Sequence, residues 1–237
     1  MNVRRNRNRS LLIGAPVRNR EWIIERWMNA AHESAVRAGF EDIGFLLLGD
    51  PRDPTFVEAI ITGPSNTPTT IMTAKENSYK SGDTKRHWEH DRYREMVSIR
   101  NLMLDNVREM KPDLFLSLDT DMLLHPNAIL EMSDLLDESN FDAIGGKAYM
   151  SPNSTRFPSY GMHGNAGGLL RPDTTDDIEV DVIMAIKLMT PAVYNNIDYH
   201  FDTKGEDIGW SDSARKAGFK LGWCGAVVNE HVMKDDR

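Results

Sequence analysis

Asp119-Thr120-Asp121 follows directly on the apolar run Leu114-Phe115-Leu116-Ser117-Leu118. In an extended chain, side chains two apart share a face. Both carboxylates would then point the same way where a buried strand ends. Two close carboxylates repel, and both stay ionised most readily beside a cation. Their hard oxygens suit Mg2+ or Mn2+, either of which can bridge to a diphosphate. The same residues also fit a turn with helix-capping aspartates ahead of Pro126. Upstream, Tyr93, Met96, Val97, Met103, Leu104 and Val107 trace a helical apolar stripe, with Arg100 in its middle. Burying a guanidinium unpaired is costly, so the stripe predicts an anionic partner: Asp119, Asp121 or a bound phosphate. Glu206-Asp207 and His231 have ordinary readings too. The first is an acidic helix start favoured by the helix dipole, the second a lone packed or surface histidine. His87 and His90 stand three apart on a helix, but Arg86, Arg92 and Arg94 surround them and would repel a cation.

Positioning these groups requires strands that end at one place. Apolar runs at 11–15, 43–48, 114–118, 143–150, 180–188 and 220–228 read as strands. Runs at 60–61 and 69–73 are ambiguous. Helical patterns fall at 21–38, 87–110 and 207–217, and Pro126 can open another at its first position. Strands alternating with helices indicate an α/β protein with a mostly parallel central sheet, which places ligands beyond the carboxyl ends of its strands.

Composition narrows the class. Of 237 residues, 40% are hydrophobic and 27% charged, as in soluble globular proteins. No apolar run approaches the roughly 20 residues that span a bilayer. A single cysteine, Cys224, excludes an intrachain disulfide and a cysteine-based zinc cluster. The net charge is −8. Residues 1–20 carry six arginines and no acid, so the remainder holds 22 basic and 36 acidic residues. An acidic body argues against broad nucleic-acid binding. Residues 1–10 read as a basic, flexible terminus, and 11–237 as a single domain. The apolar stretch after Ser10 is too short for a signal peptide and is closed by Arg18 and Arg20, so the expected location is cytoplasmic.

Three ordered blocks carry a family resemblance. "VSIRNLMLDNVREMKPDLFLSLDTDMLLHPNAILEM" resembles the central block of family 2-like glycosyltransferases with the GT-A (Rossmann-like) fold. There, an Arg-Asn helix leads to a strand ending in Asp-x-Asp and then to a helix opening near proline. "LLIGAPVRNREWIIERWM" is similar to the family's first strand and nucleotide-side loop, and "GEDIGWSDSARKAGFKLGWCGAVVNEHV" to its carboxyl-terminal block.

The resemblance implies a metal-dependent hexosyltransferase that uses a UDP- or GDP-sugar with Mn2+ or Mg2+. Residues 11–121 would form the nucleotide-binding half and 122–237 the acceptor-side half. Pro16, Val17 and Arg18 would line the nucleotide. Asp50 matches the base-binding position, although Gly49-Asp50-Pro51-Arg52 departs from the usual Asp-Asp-x-Ser and equally suits a turn. Arg100 would lie near the phosphates or the acids. Asp119 would face the ribose or a metal-bound water, Asp121 would bind the metal, and His231 would complete its shell. Asp207, with Glu206 close behind, would take the acceptor's proton in an inverting reaction, and Trp210 would stack on a sugar or join the core. The glycine-rich stretch at 160–170 would be a mobile cover, and the acids at Asp173, Asp176, Asp177, Glu179 and Asp181 a solvated edge.

Two other readings compete. A sugar nucleotidyltransferase would need a glycine-rich phosphate loop, but residues 14–20 hold one glycine. A non-catalytic sugar- or nucleotide-binding relative would not need to retain Asp119, Asp121, Glu206, Asp207 and His231. A dehydrogenase would need Gly-x-Gly-x-x-Gly after the first strand, which is missing. The acceptor hydroxyl is open between protein, glycan, small molecule and a modified nucleic-acid base. No membrane partner is expected.

Overall fold

The chain runs β1 (Ser10–Pro16), α1 (Ile24–Arg37), β2 (Asp42–Gly49), α2 (Pro54–Thr62), β3 (Thr69–Thr73), α3 (His90–Met110), β4 (Leu114–Leu118) and β5 (Met122–Leu123). It continues through α4 (Ala128–Glu138), β6 (Ala143–Gly146), β7 (Tyr160–His163), β8 (Leu169–Leu170), β9 (Ile178–Val180), β10 (Val182–Ile183) and β11 (Ile186–Met189). It ends with α5 (Pro191–Tyr194), α6 (Glu206–Lys216), β12 (Leu221–Cys224) and β13 (Glu230–His231). This computed structural model describes residues 6–50, 52–73, 90–149, 160–163, 169–170 and 174–232.

Eight strands form one sheet in the order β3-β2-β1-β4-β11-β6-β12-β9. Pairings β1–β2, β1–β4, β2–β3 and β6–β12 are parallel. β11 runs antiparallel to β4 and β6, and β9 antiparallel to β12. Both faces are covered, which is why β4 is buried at every residue. Trp27, Met28 and Ala31 of α1, Phe56 of α2 and Ile129 of α4 pack on one face with Leu11, Ile13, Leu114 and Leu116. Ile99, Met103 and Val107 of α3 and Trp210 of α6 pack on the other with Leu12, Leu46 and Phe115. The result is a single α/β domain.

The expected strand at 180–188 is three short strands in different pairings: β9 with β12, β10 with β7, and β11 with β4 and β6. The chain breaks at Ala185, whose φ of 59° lies in the left-handed region that costs a non-glycine residue about 1–2 kcal/mol. Residues 60–61 belong to helix α2, which Asp53 caps by accepting the Thr55 amide at 2.9 Å and Pro54 opens. The expected strand at 220–228 stops at Cys224. Pro126 lies ahead of α4 rather than at its first position, because the helix begins at Ala128.

From Asn6 the basic start is anchored rather than frayed. The buried Asn6 amide donates to the Ala38 carbonyl at 3.0 Å and to the Ser133 hydroxyl at 3.1 Å. Residues 1–5, His87, Met150, Asp173 and residues 164–168 of the glycine-rich stretch lie outside the described residues. Of the acidic edge, Asp176, Asp177 and Glu179 are exposed, while Asp181 pairs with Arg215 at 2.5 Å.

Candidate active site

The acids after β4 sit in a turn, not an extended segment, since the Met122 amide donates back to the Asp119 carbonyl at 3.0 Å. Shared-face geometry therefore does not govern them, and the two carboxylates have different partners. Backbone bonds hold the turn from several sides. The Trp27 indole of α1 donates to the Asp119 carbonyl at 3.0 Å. The Asp119 amide donates to the Ala185 carbonyl at 2.9 Å, and the Val232 amide to the Asp121 carbonyl at 2.8 Å.

Arg100 projects from the apolar stripe of α3 and is buried. Its Nη2 donates to Asp119 Oδ1 at 2.7 Å, its Nε to Glu206 Oε1 at 3.2 Å and its Nη1 to Ser117 Oγ at 3.3 Å. Burial alone would lower its pKa, but the carboxylates of Asp119, Asp207 and Glu206 outweigh that and raise it. The guanidinium thus joins α3, the end of β4 and the start of α6.

Glu206 and Asp207 open α6, entered through Gly205 at φ 137°, a backbone conformation that favours glycine. A side chain at Gly209 would stand 2.1 Å from the His200 carbonyl, so the helix lies flush against the preceding loop. The two acids diverge. Burial and the neighbouring Asp207 raise the pKa of Glu206 against the pull of Arg100. Burial would also raise Asp207, but Lys187 and Arg100 lower it and keep it ionised.

Lys187 is a site residue that the sequence motifs did not single out. It stands in the central strand β11, in register with Ser117 of β4 and Gly145 of β6, and is fully buried. Its ammonium binds Asp207 Oδ1. A lysine inside the apolar run Ile186-Lys187-Leu188-Met189 was the signal available.

His231 and Asp121 are brought together by the antiparallel pair β13–β5, where His231 faces Met122. His231 Nε2 lies 3.9 Å from Asp121 Oδ2. The imidazole Nδ1 is 3.0 Å from the Tyr149 carbonyl, which can only accept, so Nδ1 carries the hydrogen. In the neutral ring, Nε2 then presents its lone pair beside a carboxylate, the arrangement metal-binding histidines use. These two groups fit a Mn2+ or Mg2+ that takes its other ligands from a diphosphate and water. Among the described residues no three His, Cys, Asp or Glu side chains converge as a metal-holding group. Asp119, expected at the ribose or a metal-bound water, is held by Arg100. Arg20, which composition had grouped with the basic start, reaches Thr120 Oγ1 at 2.9 Å and Asp121 Oδ2 at 3.3 Å.

The remaining expected residues divide. Pro16 ends β1, and Arg18 lies within electrostatic reach of Asp50. Val17 is buried in the core, its amide donating to the Leu48 carbonyl at 2.7 Å, so its side chain lines no nucleotide. Trp210 is likewise fully buried, stacked toward Tyr199 and Lys187, and is not presented to a sugar. Asp50 binds Arg52 of its own turn, which lowers its pKa to about 2. That pair is exposed and correspondingly weak.

A mostly parallel sheet covered on both faces, with an acidic turn after its central strand, defines the chain's architecture as the GT-A fold. A mannosyltransferase from Pyrobaculum calidifontis, solved with GDP-Man and Mn2+, aligns over 96% of this chain and 58% of its own, with a TM-score of 0.62 and 13% identity. Mycobacterium tuberculosis glucosyl-3-phosphoglycerate synthase, solved with Mn2+, UDP and phosphoglyceric acid, aligns over 96% of this chain and 72% of its own, with a TM-score of 0.55 and 12% identity. Staphylococcus aureus TarS 1–349, solved with UDP-GlcNAc, aligns over 95% and 58%, with a TM-score of 0.56 and 14% identity. The chain therefore spans less than three-fifths of two of these proteins. No protein-family model and no curated protein sequence matches it. Among the described residues, no helix is long and apolar enough to cross a membrane.

Proposed function

We propose that this chain is a metal-dependent hexosyltransferase. It moves a sugar from a nucleoside-diphosphate donor to a hydroxyl acceptor with inversion, in the cytoplasm. The observation that carries the reading is the convergence of the Asp119–Asp121 turn, His231 and the Glu206–Asp207 pair at the carboxyl end of the central strand β4 of a GT-A sheet. The nucleotide sugars and Mn2+ bound by structural neighbours support it.

Asp121 and His231 would hold the metal, with Asp119 toward the ribose or a metal-bound water. When bound, the cation supplies charge neutralisation for the departing diphosphate. Arg18 and the backbone after β1 would border the nucleotide, and Asp50 would reach its base by releasing Arg52. The acceptor oxygen forms a bond to the anomeric carbon as the bond from that carbon to the diphosphate oxygen breaks. The electron pair leaves with the nucleoside diphosphate, and the acceptor proton passes to the ionised Asp207 carboxylate. Glu206 and Arg100 keep Asp119 and the start of α6 in place.

Incubation with a panel of UDP- and GDP-sugars plus Mn2+ tests this proposal. The expected result is release of nucleoside diphosphate from one donor, with water as the acceptor, and its loss in EDTA. Binding without release from any donor would favour a non-catalytic relative.

A further inference from the structure

A charged residue at the centre of a covered sheet needs a reason. Neighbours of Lys187 along β11 are Ile186, Leu188 and Met189, all buried. A well-packed apolar side chain would serve stability there at least as well as a buried ion pair. The ammonium also has little choice of partner. Among the described residues its one hydrogen-bond acceptor is Asp207, and the rings of Tyr199 and Trp210 stand 5.3 and 5.7 Å away. Among the same residues, neither the Tyr199 hydroxyl nor the Trp210 indole nitrogen has a hydrogen-bond partner, so the two aromatics wall the lysine without anchoring it elsewhere.

The other oxygen of Asp207 is also held. The Ala185 amide lies 3.3 Å from Oδ2. Ala185 is the residue at φ 59°, and its carbonyl accepts from the Asp119 amide at 2.9 Å. The segment 185–187 therefore grips both oxygens of Asp207 while bonding the acidic turn. Its left-handed residue and its buried lysine are two unfavourable local features in one short stretch, and both are directed at the same carboxylate. Such features persist where the surroundings over-determine them, and they gather at functional sites.

We infer that Lys187 is a positioning residue for the transfer reaction: it fixes the orientation of Asp207 and compensates its charge, so that the carboxylate is aimed and ready to take the acceptor's proton. Lys187 passes no proton and touches no substrate. Its ammonium stays charged throughout, because Asp207, Tyr199 and Asp119 together outweigh burial and the opposing field of Arg100, and raise its pKa. Each carboxylate oxygen has two lone-pair directions, so Asp207 held at both oxygens retains acceptor capacity for the incoming proton. The inference rests on the proposed transferase reading.

Four variants test it: Lys187→Met, Lys187→Arg, Asp207→Asn and the double variant Lys187→Met/Asp207→Asn. Each is titrated calorimetrically with UDP and with GDP in the presence of Mn2+. Each is then assayed for nucleoside diphosphate release from the donor that the wild type uses. Lys187→Met is expected to lower kcat by about 100-fold while nucleoside diphosphate binding stays within about twofold. Lys187→Arg should recover most of that loss. With Asp207 already replaced, Lys187→Met should change kcat no further, because nothing remains to be positioned. The double variant also covers a Lys187→Met protein that fails to fold, since removing both partners leaves no lone buried charge. If the wild type turns over and Lys187→Met retains more than a third of its kcat, the positioning role is wrong. It is equally wrong if Lys187→Met costs as much beside Asp207→Asn as it does alone. A wild type that releases nothing from any donor would overturn the transferase reading and this inference together.

Discussion

Replacing Arg100 with alanine is expected to destabilise the protein by about 3–5 kcal/mol, the usual consequence of removing one partner from a buried ionic cluster. The side chain is only 3% exposed, and its partner Glu206 is 8% exposed, so water cannot take over the guanidinium's role. Asp119, at 31%, can rehydrate, so most of the loss should come from Glu206. For a chain of this length the change corresponds to a fall in Tm of roughly 10 °C. Arg100→Ala/Glu206→Gln should recover part of it, because the amide removes the stranded charge. Thermal or urea unfolding of the two variants decides the matter. A Tm within 2 °C of wild type for Arg100→Ala, a limit set at roughly the effect of 1 kcal/mol, would mean the cluster is not what joins α3, β4 and α6.

Asp207→Asn is expected to reduce turnover by about 10²–10⁴-fold while leaving nucleotide binding intact. The asparagine keeps one oxygen for the Lys187 ammonium but leaves its buried charge uncompensated, so the variant should be less stable than wild type and is assayed well below its Tm. What it loses is the ability to take a proton. Steady-state release of nucleoside diphosphate, measured beside calorimetric binding of UDP and GDP, separates the two effects. Near-normal turnover would remove Asp207 as the base and leave a retaining reaction, or Glu206, to account for the chemistry. Parallel loss of binding would assign Asp207 to the donor site instead.

Much of this arrangement was legible in the sequence, for reasons that are local. The runs at 11–15, 43–48 and 114–118 are buried on both faces, so they read as unbroken apolar segments. Arg100 stood out because one charge interrupted a helical stripe. What failed depended on tertiary placement. The 180–188 run looked like one strand because nothing in a hydrophobic sequence marks a reversal made by an alanine at φ 59°. Glycine there would have been a signal. Val17 reads as a nucleotide-lining residue, and Trp210 stays open between sugar and core, because a motif position does not reveal which way a side chain turns. Arg20 lies 100 residues from Thr120 in sequence, and only the folded loop after β1 brings them together. Lys187 was visible as a charge in an apolar run, but its meaning required Asp207 opposite it.

Central to the proposed chemistry is a metal held by Asp121 and His231, on which donor binding depends. Calorimetric titration of UDP-, GDP- and dTDP-sugars into wild type and Asp121→Ala, each with Mn2+ and with EDTA, tests it most directly. The prediction is tight binding of one nucleotide class to the wild type with Mn2+. That binding should be weakened by about 100-fold or more in EDTA, and equally in Asp121→Ala with Mn2+ present. Binding that is unchanged by EDTA and by the substitution would contradict the metal's role, and the acidic turn would then be a structural element held by Arg100, Arg20 and Trp27.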